Sequence, residues 1–357
     1  MGFPEFEERA AKVLFFSRGR GRGHAIPDIE IGRALQALRS DAEVRFVSYG
    51  TGARTFTELG IPVIDTGLAE NGANAEMSAL AGRLIRWLNP DLVVSHEEFA
   101  AAPVAKIFDK PVLFFTDWFG EGESYAMRSL LFADEVVFLG PPGVFAAPEW
   151  VQHKVRYLGP FVRFDAKHRD KAALRAKHGV SAGATVVGVF PGSWTEAMAP
   201  VLKLVLAAYD SLPFDDKALV WVAGADRDEM QARMAGRNGV VLLDRTWEMD
   251  EWMALCDVAI TKTSRKTAYE LAYLRVPQVA LSYELNPNDD RVTRSLPGVE
   301  WLRIEGLDAE SVVRALQSGL RSGPQAGLET CSAAACAEIV SKALDRARSA
   351  AADGQGR

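Results

Sequence analysis

Short, unbroken apolar runs recur along this chain, and each is followed by a turn and then by a helical pattern. Val13–Phe16, Val44–Tyr49, Leu92–Ser95, Val112–Phe115 and Val136–Leu139 are such runs. Between them, Pro27–Leu38, Met77–Leu88 and Ala101–Phe108 carry apolar residues at helical spacing. A strand exposed on one face alternates apolar with polar residues, whereas a strand buried on both faces stays apolar throughout. Apolar strands alternating with helices therefore predict an α/β fold with a parallel sheet covered on both sides.

The alternation pauses and then restarts. "LGPPGVFAAPEW" (139–150) and "LGPFVRFDAKHRD" (158–170) are rich in proline and glycine and read as a linker region. Strands follow at Thr185–Phe190, Leu219–Ala223, Val240–Leu243, Val258–Thr261 and Gln278–Ser282. Helices are expected at Lys171–His178, Ala197–Tyr209, Asp250–Cys256 and Thr267–Leu274, and an Ala-rich helix at Leu328–Arg348. The reading divides the chain into a domain at 1–160, a second at 161–325 and a C-terminal helix at 326–357. Two domains also suit 357 residues. Such a pair is expected to form a cleft, with ligands bound outside the carboxyl ends of the strands.

Charge and composition exclude several classes. The net charge of −6 gives no global attraction to nucleic acid or to an anionic membrane. No apolar run approaches the roughly 20 residues that a membrane span needs. MGFPEFEERAAK lacks the apolar core of a signal peptide, and Phe6 is wrong for myristoylation. Cys256, Cys331 and Cys336 have no metal-binding spacing and leave an odd thiol in any pairing. A reducing cytoplasm is the expected location.

The first loop at a strand end is SRGRGRGH (17–24), in which Arg18, Arg20 and Arg22 alternate with Gly19, Gly21 and Gly23. Glycine lets a backbone approach a ligand closely. A helix start offers free N–H groups, and arginine pairs with phosphate or carboxylate. The spacing G-x-G-x-G is not the dinucleotide fingerprint G-x-G-x-x-G, and no G-K-[ST] follows as in a Walker loop. His24 closes the loop and is the candidate base, with helix capping or packing as the structural alternative. Arg20, Gly21, Arg22, Gly23 and Trp118 are the candidate ligand contacts of this domain. Solvated surface arginines and a buried tryptophan are their ordinary alternatives.

The second domain has two such loops. In "VFPGSWTEA" (189–197), Ser193 and Glu196 form a capping-box pattern at a helix start, which a phosphate can also use. After the strand ending at Thr261, Lys262, Arg265 and Lys266 crowd the start of a helix. Cations there oppose the helix dipole, and a bound diphosphate would relieve that. Glu270 follows in the first turns, where a carboxylate also simply suits the dipole.

These segments together resemble the GT-B glycosyltransferases, and most closely the N-acetylglucosaminyltransferase group that forms lipid II. The resemblance spans most of the chain. It rests on G-x-G-H-x-x-P at Gly21–Pro27 and on P-G-S at Pro191–Ser193. It rests further on the run from Asp257 through Ile260, Lys262 and Thr267 to Glu270, followed by Pro277. The resemblance implies that the C-terminal domain binds a nucleotide sugar, with Glu270 on the ribose hydroxyls. Gly192, Ser193, Lys262, Ser264, Arg265, Lys266 and Thr267 would hold the diphosphate, and Arg245–Met249, including Trp247 and Met249, would face the base. The N-terminal domain would hold the acceptor, at Arg20, Gly21, Arg22, Gly23 and Trp118, with His24 as the catalytic base, and the last helix would return to that domain. This chain differs from the group at Ser264, Arg265 and Lys266, where glycine is usual. It also carries Asn288, Asp289 and Asp290 where amides usually read the sugar, so the sugar need not be N-acetylglucosamine.

The expected reaction is inverting transfer from an NDP-sugar, UDP-linked by resemblance, to an acceptor hydroxyl. The acceptor is expected to be anionic or lipid-linked. A neutral histidine can take the hydroxyl proton, and helix starts and cations can stabilise the leaving diphosphate without a metal. Two alternatives remain at this point: a nucleotide-sugar hydrolase or epimerase of the same fold, and a non-catalytic nucleotide-sugar-binding protein.

Overall fold

The computed structural model describes residues 10–70, 72, 74–120, 124–165, 170–191, 199–223, 227–244, 246–283 and 286–354. The chain divides into two units, one of Met1–Arg163 with Thr330–Arg357 and the other of Phe164–Glu329.

The first unit contains β1 (Ala11–Ser17), β2 (Ala42–Ser48), β3 (Ile64–Asp65), β4 (Leu92–His96), β5 (Val112–Thr116), β6 (Glu135–Phe138) and β7 (Val155–Tyr157). They form one sheet in the order β3-β2-β1-β4-β5-β6-β7, and every pairing is parallel. β4 and β5 are buried at every position, the polar ends Ser95, His96 and Thr116 included, as strands covered on both faces are. On one face, Phe15, Val94 and Phe115 pack with Ile29, Ile31 and Leu35 of the helix Ala25–Leu38. Cys336, Val340 and Leu344 of the last helix, Ala333–Gly354, close the same core. Each fully buried apolar side chain of this size contributes about 1.5–3 kcal/mol.

The second unit contains β8 (Thr185–Phe190), β9 (Lys217–Val222), β10 (Val240–Leu243), β11 (Val258–Lys262), β12 (Gln278–Ser282) and β13 (Val299–Arg303). Their order is β10-β9-β8-β11-β12-β13, again all parallel. Alternate residues serve opposite faces, as the two-residue period of a strand demands. Val187, Trp221 and Ile260 face the helices Ala199–Asp210 and Ala309–Ser322. Val186, Val220 and Ala259 face the helices Lys171–Lys177, Met249–Ala254 and Lys266–Tyr273.

Several elements go beyond the sequence reading. The helix Gly50–Glu58 begins with Gly-Thr-Gly, poor helix formers. Its start is fixed by tertiary contact instead, since Gly52 N–H donates to the Gly19 carbonyl at 2.9 Å. β7 is a three-residue, largely exposed edge strand, too short to give a periodic signal. Among the described residues, no helix is long and apolar enough to cross a membrane.

Candidate active site

In both units the order of strands reverses at the first strand, so that its carboxyl end opens between two diverging crossovers. In the first unit this is the end of β1, between β2 and β4. The 17–24 loop emerges there, at the position where open α/β sheets bind ligands.

Two of the loop's glycines are required by the fold. A Cβ on Gly19 would lie 2.2 Å from the Tyr49 carbonyl oxygen. Gly21 has φ +70°, which side chains rarely adopt. Gly23 has open space where a Cβ would stand, which leaves the backbone before His24 approachable. Arg20 is exposed, and Arg22 pairs with Glu58.

His24 occupies the N-cap position of the helix Ala25–Leu38 but makes no side-chain capping bond. Its imidazole turns to the sheet instead, where Nε2 lies 3.0 Å from Glu97 Oε2. Glu97 is 1% exposed, and Arg18 Nη1 lies 3.6 Å from the same oxygen. The other oxygen, Oε1, accepts from the Thr116 hydroxyl at 3.0 Å and from the Asp117 N–H at 3.2 Å. Four groups thus fix one carboxylate, and the carboxylate fixes the histidine. Glu97 itself has φ 53°, an uncommon conformation for a residue with a side chain, of the kind concentrated at functional sites.

Burial lowers the His24 pKa from its ordinary 6.5, while Glu97 opposes that shift. The ring is therefore neutral near pH 7, the state a base requires. Its Nδ1 is buried and makes no hydrogen bond within the protein. Next to Glu97, the Glu98 carboxyl accepts from the Tyr49 hydroxyl at 3.0 Å. Burial pushes the Glu98 pKa up, against Tyr49, the Ala100 N–H and Arg18. Trp118 is half-buried and meets Phe99 edge to face, with centroids 6.2 Å apart. Its neighbour Phe119 belongs to the core, stacked on Phe138 at 4.8 Å.

The sequence reading named His24 and did not name Glu97, Glu98 or Asp117, which the structure gathers around it. The signal was available. His96-Glu97-Glu98 stands at the carboxyl end of an apolar strand that directly neighbours β1.

In the second unit the equivalent position is the carboxyl end of β8 and β11. The predicted contacts Gly192 and Ser193 lie outside the described residues, as does Arg245. A small apolar hollow is lined by Val189, Pro191, Trp221, Thr261, Lys262 and Leu281. Lys262 ends β11, Lys266 and Thr267 open the next helix, and Glu270 follows one turn on, half-buried. Arg265 Nε lies 3.0 Å from Asp289 Oδ1. The Ser264 carbonyl accepts from the Thr293 hydroxyl at 3.1 Å. The fold therefore brings Lys262, Ser264, Arg265, Lys266, Thr267 and Glu270 to one loop and the helix start beside it, and sets Asp289, in the first turn of the helix Pro287–Ser295, against Arg265.

Asp290 differs from its neighbour. Its carboxylate is buried and accepts from the Ser282 hydroxyl at 2.6 Å and the Trp301 indole at 3.4 Å. Asp257, which heads the run ending at Glu270, is half-buried and likewise committed within the protein: it accepts from Lys171, from Arg175 and from the Val186 N–H. Burial alone would raise its pKa, and these partners outweigh it. Trp247 is exposed, and Met249 packs against the core beneath it. Elsewhere His178, Glu248 and Glu251 converge, but Lys177 already lies 2.6 Å from Glu251 and 3.3 Å from Glu248.

No known protein-family model matches the chain. It is 26% identical over 333 residues to the UDP-N-acetylglucosamine–N-acetylmuramyl-(pentapeptide) pyrophosphoryl-undecaprenol N-acetylglucosamine transferase of Salinibacter ruber (strain DSM 13855 / M31). That alignment covers 84% of this chain and 86% of that protein. Among solved structures, the glycotransferase of kitacinnamycin superposes with TM-score 0.68 at 17% identity, covering 96% of each chain. MurG of Acinetobacter baumannii gives TM-score 0.63 at 16% identity, covering 86% of this chain and 90% of that one. A UDP-N-acetylglucosamine 2-epimerase of Listeria monocytogenes gives TM-score 0.63 at 15% identity, covering 94% and 96%. The fold is the GT-B fold of glycosyltransferases, and the sequence resembles the group to which the Salinibacter transferase belongs.

Proposed function

We propose that this chain is a glycosyltransferase that moves a sugar from a UDP-linked donor to an acceptor hydroxyl, with inversion and without a metal. The observation that carries the reading is the His24–Glu97 pair at the carboxyl end of β1, a neutral imidazole oriented by a fully engaged carboxylate. Such a pair suits the removal of a proton from a poorly acidic hydroxyl, which is what a sugar acceptor presents.

In this reaction the acceptor oxygen attacks the anomeric carbon and its proton passes to His24. The bond from that carbon to the diphosphate breaks, and its electron pair leaves with the diphosphate. Lys262 and the helix start at Lys266 supply the positive end that meets the growing charge. Glu270 takes the ribose hydroxyls. Arg20 and the open backbone at Gly23 contact the acceptor, for which an anionic or lipid-linked alcohol is the best candidate. The Salinibacter relative, whose name specifies a pyrophosphoryl-undecaprenol substrate, supports that choice. A nucleotide-sugar donor and the buried cysteines Cys256, Cys331 and Cys336 fit a cytoplasmic enzyme.

Calorimetric titration with UDP, GDP, dTDP and CMP, in the presence of a chelator, tests the donor. Binding of UDP above the others supports the reading. Binding of none of the four removes the donor site from the 262–270 segment. The epimerase neighbour gives a second reading, for which the sign is release of an epimer from UDP-sugar with no acceptor present.

A further inference from the structure

Asn288, Asp289 and Asp290 stand where the resemblance places sugar-reading groups, yet the helix that carries them, Pro287–Ser295, is engaged with the protein itself. Asp290 anchors it to the sheet, since its carboxylate accepts from Ser282 at the end of β12 and from the Trp301 indole of β13. The Arg294 guanidinium lies over the same indole, 3.5 Å from the ring centroid, and Val292 is fully buried. Asp289 and Thr293 are one helical turn apart and share a face. Both meet the loop after β11. Asp289 meets the Arg265 side chain at 3.0 Å, and the Thr293 hydroxyl meets the Ser264 carbonyl at 3.1 Å.

Thr293 is fully buried. Its hydroxyl has one proton and two carbonyls within reach, that of Ser264 at 3.1 Å and that of Asp289 at 2.7 Å. The Asp289 carbonyl lies four residues back in the same helix, where the helical pattern directs a backbone N–H to it, so it does not depend on the hydroxyl. The Ser264 carbonyl does: among the described residues, the Thr293 hydroxyl is the one donor found on it.

A trans peptide unit points its C=O and its N–H to opposite sides. With the Ser264 oxygen held toward Thr293, the Arg265 N–H points away from the helix Pro287–Ser295, at the N-cap of the helix Lys266–Tyr273. Turned over, the same peptide would present its carbonyl oxygen there, and the negative end of a peptide dipole repels phosphate. We propose that Thr293 is a positioning residue for the donor: it holds the Ser264–Arg265 peptide in the orientation that offers an N–H, rather than a carbonyl, to the diphosphate. The inference rests on the 262–270 segment being the donor site. It also gives the helix Pro287–Ser295 a task other than reading the sugar: anchored through Asp290, it sets the shape of the loop beside it.

Calorimetric titration of the full chain with UDP tests the proposal. Thr293→Val keeps the shape of the side chain and removes the hydroxyl. UDP affinity should fall about tenfold, the worth of one hydrogen bond to a charged group. Thr293→Ser keeps the hydroxyl and should bind UDP as the wild type does. Unchanged affinity in Thr293→Val, with only a lowered melting temperature, would reduce the hydroxyl to a bond within its own helix and overturn the role. Affinity equally low in Thr293→Ser would assign the loss to packing of the methyl group and overturn it too. Should Thr293→Val not fold, Thr293→Ala decides by the same titration. Absence of UDP binding in the wild type would instead overturn the donor site itself, the reading on which the proposal rests.

Discussion

The loop after β1 and the loop after β11 both open where the strand order of their sheets reverses, the first on the initial strand and the second on its neighbour, yet their charges are arranged in opposite ways. In the first unit the charges face inward. His24 and Arg18 are drawn onto Glu97, a buried carboxylate that also holds Thr116 and the Asp117 N–H. In the second unit Lys262, Arg265 and Lys266 are half-buried at a helix start, and Arg265 is answered by the partly exposed Asp289. An enclosed, saturated pair controls a proton. A half-open cluster of cations at a helix N-terminus receives an anion. On the proposed reading, the reversal region of the sheet serves two chemistries, according to whether a neighbouring strand end supplies buried acid or the loop itself supplies cations.

The contrast predicts its largest effect at Glu97. Glu97→Gln should lower turnover about 10²- to 10⁴-fold, the range over which an oriented general base acts, with little change in donor affinity. Loss of donor affinity with turnover intact would reverse the roles of the two loops. Glu97→Ala should also destabilise the protein by about 2–4 kcal/mol, because it strands buried partners, as thermal unfolding would show.

Glu270→Ala comes next. Removing a charge-assisted bond to ribose should weaken nucleotide binding by about 1–3 kcal/mol. Equal affinity in calorimetry would take Glu270 out of the donor site.

A smaller effect concerns pH. The folded-state pKa of His24 lies below its ordinary 6.5, so between those values the unfolded chain binds more protons than the folded one. Stability from this group is complete above about 6.5 and declines as pH falls toward the folded value. Chemical denaturation of wild type and His24→Gln across this range should show a steeper acid-side loss in the wild type. Parallel curves would mean that the buried ring does not resist protonation.

The smallest effect is expected at Asp289. Asp289→Asn releases Arg265 from a partly exposed pair worth under about 1 kcal/mol. Stability should barely change, and diphosphate binding should tighten slightly at low salt. Weaker binding would show that Asp289 itself contacts the ligand.

The fold class was legible because it follows from period alone. Runs such as Leu92–Ser95 and Val112–Phe115 are apolar on both faces, and only a covered parallel sheet accommodates many of them. Elements held by tertiary contact were not legible. The helix Gly50–Glu58 has weak intrinsic propensity, and β13 (VEWLR) mixes charge with apolar residues at a half-buried sheet edge. The site was legible in part for a similar reason. His24 and the 262–270 loop stand out by glycine and charge against their surroundings. Glu97 could be marked as a polar residue at the end of an apolar strand, but its partners, from His24 to Thr116, are distant in sequence, and no local spacing reports those contacts. Asp290 shows the converse. By position it reads as a sugar contact like Asp289, while its carboxylate is committed to Ser282 and Trp301.

The most direct test of the account is His24→Ala, assayed for UDP-sugar turnover and for UDP binding on the same preparation. The account predicts donor affinity equal to wild type and turnover reduced by at least about 10². Wild-type turnover would contradict it, because the enclosed pair of the first unit would then have no part in the reaction.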